Sequence, residues 1–172
     1  MIDSDEPIRV VTYDPAWHDL GRELVRQISA QLCAVHVDVA HIGSTAVPGL
    51  AAKPIIDIQV GCAPRDTDEV VAHVRQIGFE HLGQTGGPGR EYLRRRVGQP
   101  VNIAVVELGG PLWADNIRFR DYLRAHPDVA ARYARAKLRA ADEAGALRAY
   151  SALKASTVSK IMHEALAAQE GV

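Results

Sequence analysis

The residue pattern changes character at Gly109-Gly110-Pro111, and this change constrains the fold more than any other feature of the sequence. Before it, short runs of β-branched and aromatic residues alternate with helix-like stretches, an arrangement typical of a mixed α/β unit. After it, about sixty residues rich in Ala, Arg and Leu contain no strand pattern and predict two or three helices. We therefore expect a sheet backed by helices and a helical C-terminal part.

Spacing places the elements of the first part. Apolar residues at three- and four-residue steps predict one helix from Asp14-Pro15 to about Cys33 and a second over 66–77. Strands are predicted over 36–42, 54–61, 92–97 and 101–108, the last two as a hairpin across Gly98-Gln99, with a glycine-rich loop at 83–89. The 172 residues show no repeat and no linker. They predict one domain over 1–172, with a core of about 8–110 and a helical part of about 111–170.

Composition narrows the class of function. A net charge of -1 argues against general nucleic-acid binding, which needs a basic face. Cys33 and Cys62 lie in apolar contexts without CxxC spacing, and the histidines show no zinc-ligand spacing, so buried thiols are expected and a zinc site is not. No apolar run approaches the ~18 residues of a membrane span, and the N-terminus lacks a signal-like apolar region. These features predict a cytoplasmic protein without a membrane partner.

The chemistry is concentrated in two neighbouring segments, 41–50 and 53–60. Gly43 lets the backbone approach a phosphate closely, while the Ser44 N–H and hydroxyl can hydrogen-bond its oxygens. Asp57 and Gln59 lie two residues apart in a predicted strand, so their side chains leave the same face. A carboxylate opposite a phosphate cradle is what phosphoryl or nucleotidyl transfer needs, because it can hold Mg²⁺ against the phosphate oxygens.

These segments carry a family resemblance. His41-Ile-Gly-Ser-Thr-Ala-Val-Pro-Gly-Leu-Ala-Ala-Lys-Pro-Ile-Ile-Asp-Ile58 resembles a signature of the GrpB-like family, a branch of the polymerase-beta-type nucleotidyltransferase superfamily. Phe119-Arg-Asp-Tyr-Leu-Arg-Ala-His-Pro127 is similar to its second signature, and Tyr150 with Lys154 to its late Tyr-x-x-x-Lys element. The resemblance spans roughly Val10 to Leu166. It implies a nucleotidyltransferase core with a mixed β-sheet backed by helices, a helical C-terminal part, and a site for Mg²⁺ and a nucleoside triphosphate.

The chain departs from the superfamily pattern at its acidic positions. That pattern has a Gly-Ser turn, then Asp-x-Asp or Asp-x-Glu, then a third carboxylate on a later strand. Here Asp57 is kept but Gln59 replaces the second acid, leaving an amide oxygen without charge as the second expected metal ligand. Asn102 and Ala104 occupy inward positions of the hairpin where family members often carry histidines, and Glu107 falls on the opposite face.

Several further residues are candidates for the site. We expect Asp57 and Ser44 to be catalytic and His41, Asn102 and Tyr150 to line a pocket. Phosphate-binding candidates are Gly43, Ser44, Thr45, Lys53, Arg94, Arg96, Arg120 and Lys154. Structural alternatives stay open for most of them. Gly43-Ser44 can be an ordinary turn, Lys53, Tyr150 and Lys154 can be solvated surface residues, and the arginines of 94–96 can protect a hairpin edge by charge. Arg120 can pair with Asp121 or Glu143, and His41 can brace the turn through backbone bonds.

Three functions stay open at this point. The first is Mg²⁺-dependent transfer of a nucleotidyl group from a nucleoside triphosphate to a small acceptor. The second is a non-catalytic nucleotide- or partner-binding module, suggested by Gln59 and the missing third acid. The third is amide or ester formation through an adenylate, since activation of a carboxylate is also attack on an α-phosphate.

Overall fold

The computed structural model describes residues 9–85, 87–143 and 147–170, except for the side chains of 143, 147–154, 169 and 170. Its centre is a mixed five-stranded sheet in the order β1-β2-β5-β4-β3. The strands are β1 (Val37–Ile42), β2 (Ile56–Cys62), β3 (Glu80–Gln84), β4 (Arg90–Arg95) and β5 (Val101–Glu107). The β2/β5 pair is parallel, and the other three pairs of the sheet are antiparallel. The expected mixed α/β fold is confirmed.

Two helices cover one face of this sheet. Helix α1 (Ala16–Gln31) begins where the Asp14 carboxylate accepts the Ala16 N–H at 2.9 Å, a cap that satisfies one unpaired helix donor. Helix α2 (Thr67–Gln76) follows β2. The apolar stripes of both helices pack against the β-branched residues of β2 and β5 in one cluster, whose fully buried members include Ile28, Ile58, Val60, Val74 and Ile103. Period-two alternation in β2 turns its other residues to the opposite face.

Helices α3 (Pro111–Ala125), α4 (Pro127–Glu143) and α5 (Leu147–Glu170) form the C-terminal part. Pro111 stands at the start of α3, where its missing N–H costs nothing, and the change in sequence pattern there marks the start of the helices. A second cluster joins these helices to the segment after β1 through Val47, Leu50, Leu123, Val129, Ala130, Tyr133 and Ile161. No helix in the described part of the chain combines the length and hydropathy that spanning a bilayer requires.

Two predictions about strands and loops need correction. Gly83 lies in β3 and not in the predicted loop, because β3 is a mostly polar edge strand in which no alternation of apolar residues marks the strand. The predicted hairpin of β4 and β5 is present, but five residues, 96–100, connect its strands instead of two. The extra residues contact the segment before β2: Pro100 O accepts the Ile56 N–H at 3.0 Å, and the Gln99 amide reaches Pro54 O at 3.2 Å.

The two cysteines differ in their surroundings. Cys62 of β2 is fully buried, as expected, whereas the prediction of a buried thiol is wrong for Cys33, which is exposed. Leu32 is the last residue of α1's apolar stripe and fills the core, so the chain turns outward at the next position. The apolar residues next to Cys33 in the sequence therefore do not show that Cys33 itself is buried.

Candidate functional site

The site is built around the turn that ends β1. Gly43 has φ +71° and ψ -168°, a conformation open in practice only to glycine, and a 3-10 turn over Ser44–Ala46 follows it. A Cβ on Gly43 would lie 2.7 Å from Asp57 Oδ2 and 3.1 Å from Asp57 Cβ. The glycine therefore allows the Gly43-Ser44 backbone to lie directly against the Asp57 carboxylate. The structure brings the predicted phosphate turn and the predicted metal ligand together.

Asn102 completes this centre. It is the register partner of Asp57 on parallel strand β5, and its Nδ2 donates to Asp57 Oδ1 at 2.8 Å. The amide oxygen, Asn102 Oδ1, is buried and has no hydrogen-bond partner among the described residues. If the amide were flipped, its oxygen would lie against the negatively charged Asp57 carboxylate. The amide nitrogen is therefore the atom that faces Asp57, and the oxygen faces away from it. A buried acceptor without a donor is costly, and this one lies beside a carboxylate at the expected ligand site.

Gln59 has a different environment from the one predicted for a metal ligand. Its side chain is fully buried, its Nε2 donates to Trp113 O at 3.3 Å, and its Oε1 accepts from Asn116 Nδ2 at 2.5 Å. Gly61, two residues on, leaves the space that the Trp113 ring occupies, since a Cβ there would lie 2.7 Å from it. Gln59 thus attaches the start of α3 to the sheet. Coordination of a metal by Gln59 would require breaking this link.

The arginines predicted on β4 lie on the same side of the sheet as Asp57. Arg94 is the register partner of Asn102, and it forms an ion pair with Glu80 at 2.9 Å. Arg96, just beyond β4, hydrogen-bonds Tyr92. Arg95 points to the other face, with its guanidinium 4.7 Å from the centre of the Phe79 ring. The face that carries Arg94 is therefore the one that could meet a phosphate.

Tyr92 is a member of the site that sequence reasoning did not single out. Its register partner is Ala104, so it shares a face with Asn102 and Asp57. Burial raises the pKa of the Tyr92 hydroxyl, the negative charge of Asp57 adds to the rise, and Arg96 opposes it. The effect of Asp57 shows that the phenol and the carboxylate are close enough to interact. The sequence does contain a signal for this placement, because Tyr92, Arg94 and Arg96 are two residues apart in a predicted strand and so share one face.

His41 and Thr45 lie behind the turn. His41 Nε2 and Thr45 Oγ1 are 3.0 Å apart, and the Thr45 hydroxyl is also 3.4 Å from Ile55 O. Thr45 is a predicted phosphate ligand, but it is 2% exposed, so its side chain does not face a phosphate in the described site. His41 braces the turn, although through a side-chain hydroxyl and not through the backbone. Burial, followed by the charges of Arg124, Arg120 and His18, lowers the pKa of His41 from 6.5 to about 4.

Arg120, a predicted phosphate ligand, instead joins α3 to β1. Its NH1 donates to His41 O at 3.0 Å, and its Nε and NH2 hold the Asp121 carboxylate at 2.7 and 3.1 Å. Arg124, one turn further, donates to Ala46 O at 2.8 Å. Both arginines therefore fix the backbone on either side of the Gly43 turn. The ion pair with Asp121 is one of the structural alternatives named for Arg120 above.

The remaining candidates stay predictions. Lys53 is half-buried in the loop before β2, and its contact with a phosphate is untested. Tyr150 and Lys154 belong to the span of α5 whose side chains lie outside the described residues. Within the described residues, no group of three or more His, Cys, Asp or Glu side chains is arranged to hold a metal ion. The carboxylate of this centre is therefore Asp57, with the Asn102 amide beside it.

Lys137 is a second residue that sequence reasoning did not single out. This α4 lysine is 1% exposed, its Nζ donates to Ala51 O at 2.5 Å, and it lies 4.7 Å from the centre of the Tyr133 ring. It fastens the helical part to the loop that leads from the Gly43 turn to β2. A single lysine in an Ala- and Arg-rich helix gives no sign of such burial.

Comparisons with known proteins find a matching family model and several relatives. The family model described as GrpB protein matches residues 7–164. The UPF0157 protein PA4798 of Pseudomonas aeruginosa is 34% identical over 95% of this chain and 70% of its own length. The UPF0157 protein YqkA of Bacillus subtilis is 30% identical over 74% of this chain and 38% of its own length, so the chain spans less than half of that relative. A dephospho-CoA kinase of Mycolicibacterium paratuberculosis is 30% identical over 86% of this chain and 43% of its own length.

Solved structures define the fold. The conserved protein GrpB from Enterococcus faecalis superposes with a TM-score of 0.83 at 32% identity, covering 94% of this chain and 99% of that one. The GLD-2/RNP-8 complex gives a TM-score of 0.56 at 11% identity, covering 84% of this chain and 58% of that one. The Cid1 poly (U) polymerase gives a TM-score of 0.53 at 12% identity, covering 75% of this chain and 41% of that one. The core is thus a polymerase-beta-type nucleotidyltransferase fold. Since the family model spans nearly all of the sequence, the chain belongs to the GrpB family.

Proposed function

We propose that this protein transfers a nucleotidyl group from a nucleoside triphosphate to a small acceptor in a Mg²⁺-dependent reaction at Asp57. The observation that carries the proposal is the pairing of Asp57 with Asn102 directly beneath the Gly43 turn. Gly43 lies so close that a Cβ would meet the carboxylate, and Asn102 Oδ1 is a buried acceptor without a partner among the described residues. A binding site explains both features, whereas packing alone leaves the orphaned oxygen without a reason.

The oxygen donors at this centre suit one Mg²⁺ ion. Mg²⁺ prefers oxygen ligands and is commonly held by one or two carboxylates together with water and substrate phosphates. Asp57 would supply the carboxylate and Asn102 Oδ1 a neutral oxygen. When bound, the ion offsets negative charge on the phosphate oxygens. A two-metal site does not fit, because Gln59 brings no charge and its oxygen is bonded to Asn116.

The chain's own groups would position the triphosphate. The Gly43-Ser44 backbone and the half-buried Ser44 hydroxyl lie where a phosphate could approach Asp57. Arg94 and Arg96 follow the strand face that carries Asn102, where guanidinium groups can bind phosphate oxygens in pairs. In such reactions the protein contributes mainly position and charge stabilisation. The Cid1 poly (U) polymerase, which shares the fold, was crystallised with Mg 3'-dATP, and this supports the nucleotide as the ligand class.

Calorimetry tests the proposal. ATP, GTP, CTP and UTP are titrated with and without Mg²⁺ into the wild type, Asp57→Asn and Asp38→Asn. Asp38 is an exposed aspartate on β1, paired with Gly61 at the opposite end of the strand, and its substitution makes the same change in charge. We expect Mg²⁺ to strengthen binding of at least one triphosphate by about tenfold in the wild type and Asp38→Asn, but not in Asp57→Asn. Equal Mg²⁺-dependent binding by all three proteins would refute it.

Turnover is then measured as pyrophosphate release in the presence of alcohol, amine and carboxylate acceptors. Release that requires an acceptor, Mg²⁺ and Asp57 supports nucleotidyl transfer. Release that requires a carboxylate acceptor supports the adenylate route, because the same attack on an α-phosphate then activates that acceptor.

The second candidate is a nucleotide-binding module without catalysis. It is favoured by the structural use of Gln59, which leaves a single carboxylate at the centre among the residues described. This candidate predicts Mg²⁺-dependent triphosphate binding that Asp57→Asn abolishes, with no pyrophosphate release with any acceptor class. Binding and release together therefore separate the two functions.

A further inference from the structure

A cavity of about 710 Å³ lies outside the candidate nucleotide site, at the outer edge of β1. Helix α1 forms one wall and α3 the other, with Val39 and Ala40 of β1 between them. Its volume falls in the range of about 300–1,000 Å³ common for small-molecule sites. Four arginines and two histidines make up more than half of the lining: His18, Arg22, Arg26, His41, Arg120 and Arg124. We refer to it as the β1-edge cavity.

The open edge of β1 forms its floor. The strand is the terminal one of the sheet, and His41 O already accepts a bond from Arg120. In an antiparallel strand the N–H and C=O of one residue point to the same side, and this side alternates along the chain. The backbone of Val39, two residues before His41, is therefore directed outward as well. The cavity presents a backbone donor along with its guanidinium groups.

Carboxylates only partly neutralise the cations of this cavity. Two acids, Asp19 and Glu23, line it together with four arginines. Glu23 is paired with Arg26 at 2.7 Å in an exposed contact on α1. Arg22, on the same helix, forms no ion pair with any residue that the structure describes. The α1 wall thus carries two arginines and two acids, so the excess of positive charge in the cavity comes from Arg120 and Arg124 of the α3 wall.

The two arginines of the α3 wall share one carboxylate. Asp121 bonds Arg120 at 2.7 Å and lies 3.6 Å from Arg124. The pKa of Arg124 is lowered first by burial and then by the positive charge of Arg120. The pKa of His41 is lowered first by burial and then by the charges of Arg124 and Arg120. The two guanidinium groups therefore lie close enough to repel each other. A bound anion would relieve that repulsion.

We propose that the β1-edge cavity binds a small molecule that carries a phosphate group, at a site separate from Asp57. The separation follows from strand alternation: the side chains of His41 and Asp57 lie on opposite faces of the sheet, since Ile42 is the register partner of Asp57. Phosphate is the favoured group because guanidinium groups from two helices line one space, and planar guanidinium forks match phosphate oxygens. Arg22 has no ion pair among the described residues, and Arg124 keeps N–H groups beyond the one that it donates to Ala46 O. This site does not depend on the proposed reaction.

The test is calorimetric titration of inorganic pyrophosphate without metal ions into the full chain. The variants are Arg22→Ala and the matched control Arg75→Ala, which removes an exposed arginine from α2, away from the cavity. Arg22→Ala is expected to weaken binding about fivefold, and Arg75→Ala by less than about twofold. Asp57→Asn should bind pyrophosphate as the wild type does. Proton NMR of the His41 ring should show a shift on titration that saturates at the same concentration.

Four results would overturn the proposal. The first is absence of binding by the wild type at millimolar pyrophosphate. The second is an equal loss in Arg22→Ala and Arg75→Ala, which would indicate diffuse attraction to a basic surface. The third is a marked change of affinity in Asp57→Asn, most simply tighter binding once the carboxylate no longer repels a metal-free anion, which would place the ligand in the nucleotide site. The fourth is stronger binding of citrate than of pyrophosphate, which would assign the cavity to carboxylates. Arg22 lies exposed on α1, so its replacement leaves the fold intact, as thermal unfolding can verify.

Discussion

Gly43 is fixed by two separate constraints, its backbone conformation and its contact with Asp57. Alanine at this position would adopt a φ of +71° that L-residues rarely tolerate, and its Cβ would lie 2.7 Å from Asp57 Oδ2. The carboxylate would have to move away from Asn102, its present donor. The residue therefore sets the geometry of the site as well as the turn.

We expect Gly43→Ala to lower the free energy of unfolding by about 3 kcal/mol and to abolish Mg²⁺-dependent nucleotide binding. Gly49→Ala is the matched control, because Gly49 has φ +77° but open space around its Cβ position. Its cost should be about 1 kcal/mol with binding retained. Urea denaturation and calorimetry measure the two effects. Equal costs in both variants would show that contact with Asp57 contributes nothing.

His41 should remain neutral through the physiological pH range. Its folded-state pKa of about 4 lies below the ordinary 6.5, so the unfolded chain binds the proton first as pH falls. Protonation of this residue therefore reduces stability progressively as the pH falls from about 6.5 to 4, with no effect above that range. Proton NMR of the His41 ring should give a midpoint well below 5. A midpoint between 6 and 7 would contradict the burial of the ring and the influence of the arginines on it.

Among the contacts between helices and sheet, those of Gln59 determine how α3 sits. Its amide serves as donor to Trp113 O and acceptor from Asn116, so a side chain with both functions is required. Glutamate, one of the acids of the superfamily pattern, would lose the donor and place a carboxylate against a carbonyl in a fully buried position. Glutamine therefore fits the docking of α3 at this position, whereas an acid of the superfamily pattern does not.

Accordingly, Gln59→Glu should destabilise the protein by about 2–4 kcal/mol without strengthening Mg²⁺ binding. Gln76→Glu is the matched control, because it makes the same exchange at an exposed position at the end of α2. An acid there meets only the unfavourable end of the helix dipole, so its cost should stay below about 1 kcal/mol. Urea denaturation and Mg²⁺ titration are the measurements. A stable Gln59→Glu variant with tighter Mg²⁺ binding would show that position 59 is a metal ligand after all.

Local sequence signals locate most elements but cannot supply partners across the chain. Period two places Asp57 and Gln59 on one face, and this is what the structure shows. The partner of Gln59 is Asn116, 57 residues later, and only the docking of α3 brings them together. Strand β3 escapes prediction because its residues are mostly polar and include Gly83, so no alternation of apolar residues marks it.

Taken together, the described elements form two apolar clusters that meet at the segment after the Gly43 turn. One cluster lies between the sheet and α1 and α2, and the other joins α3, α4 and α5 to Val47 and Leu50. Lys137 adds a polar tie from α4 to Ala51. Because the segment between β1 and β2 is held by the second cluster, the helical part supports the candidate site from behind.

The two tryptophans allow this coupling to be measured. Trp17 lies in the first cluster, whereas Trp113 of α3 lies against Gly61. In the variants Trp17→Phe and Trp113→Phe, each remaining indole reports one part of the chain. We expect their urea unfolding curves to show one transition each, with the same midpoint by fluorescence and by circular dichroism, as a single cooperative unit requires. Two separated transitions would show that the helical part unfolds on its own.

The proposed function depends on Asp57 and Asn102 holding a metal-bound triphosphate beneath the Gly43 turn. A crystal structure with Mg²⁺ and a non-hydrolysable nucleoside triphosphate would show this directly. We expect an ion about 2.1 Å from an Asp57 carboxylate oxygen and from Asn102 Oδ1, with Gln59 still bonded to α3. Phosphate oxygens should lie against the Gly43-Ser44 backbone. A nucleotide bound away from Asp57, or an ion coordinated by Gln59 with Asn102 turned aside, would contradict it.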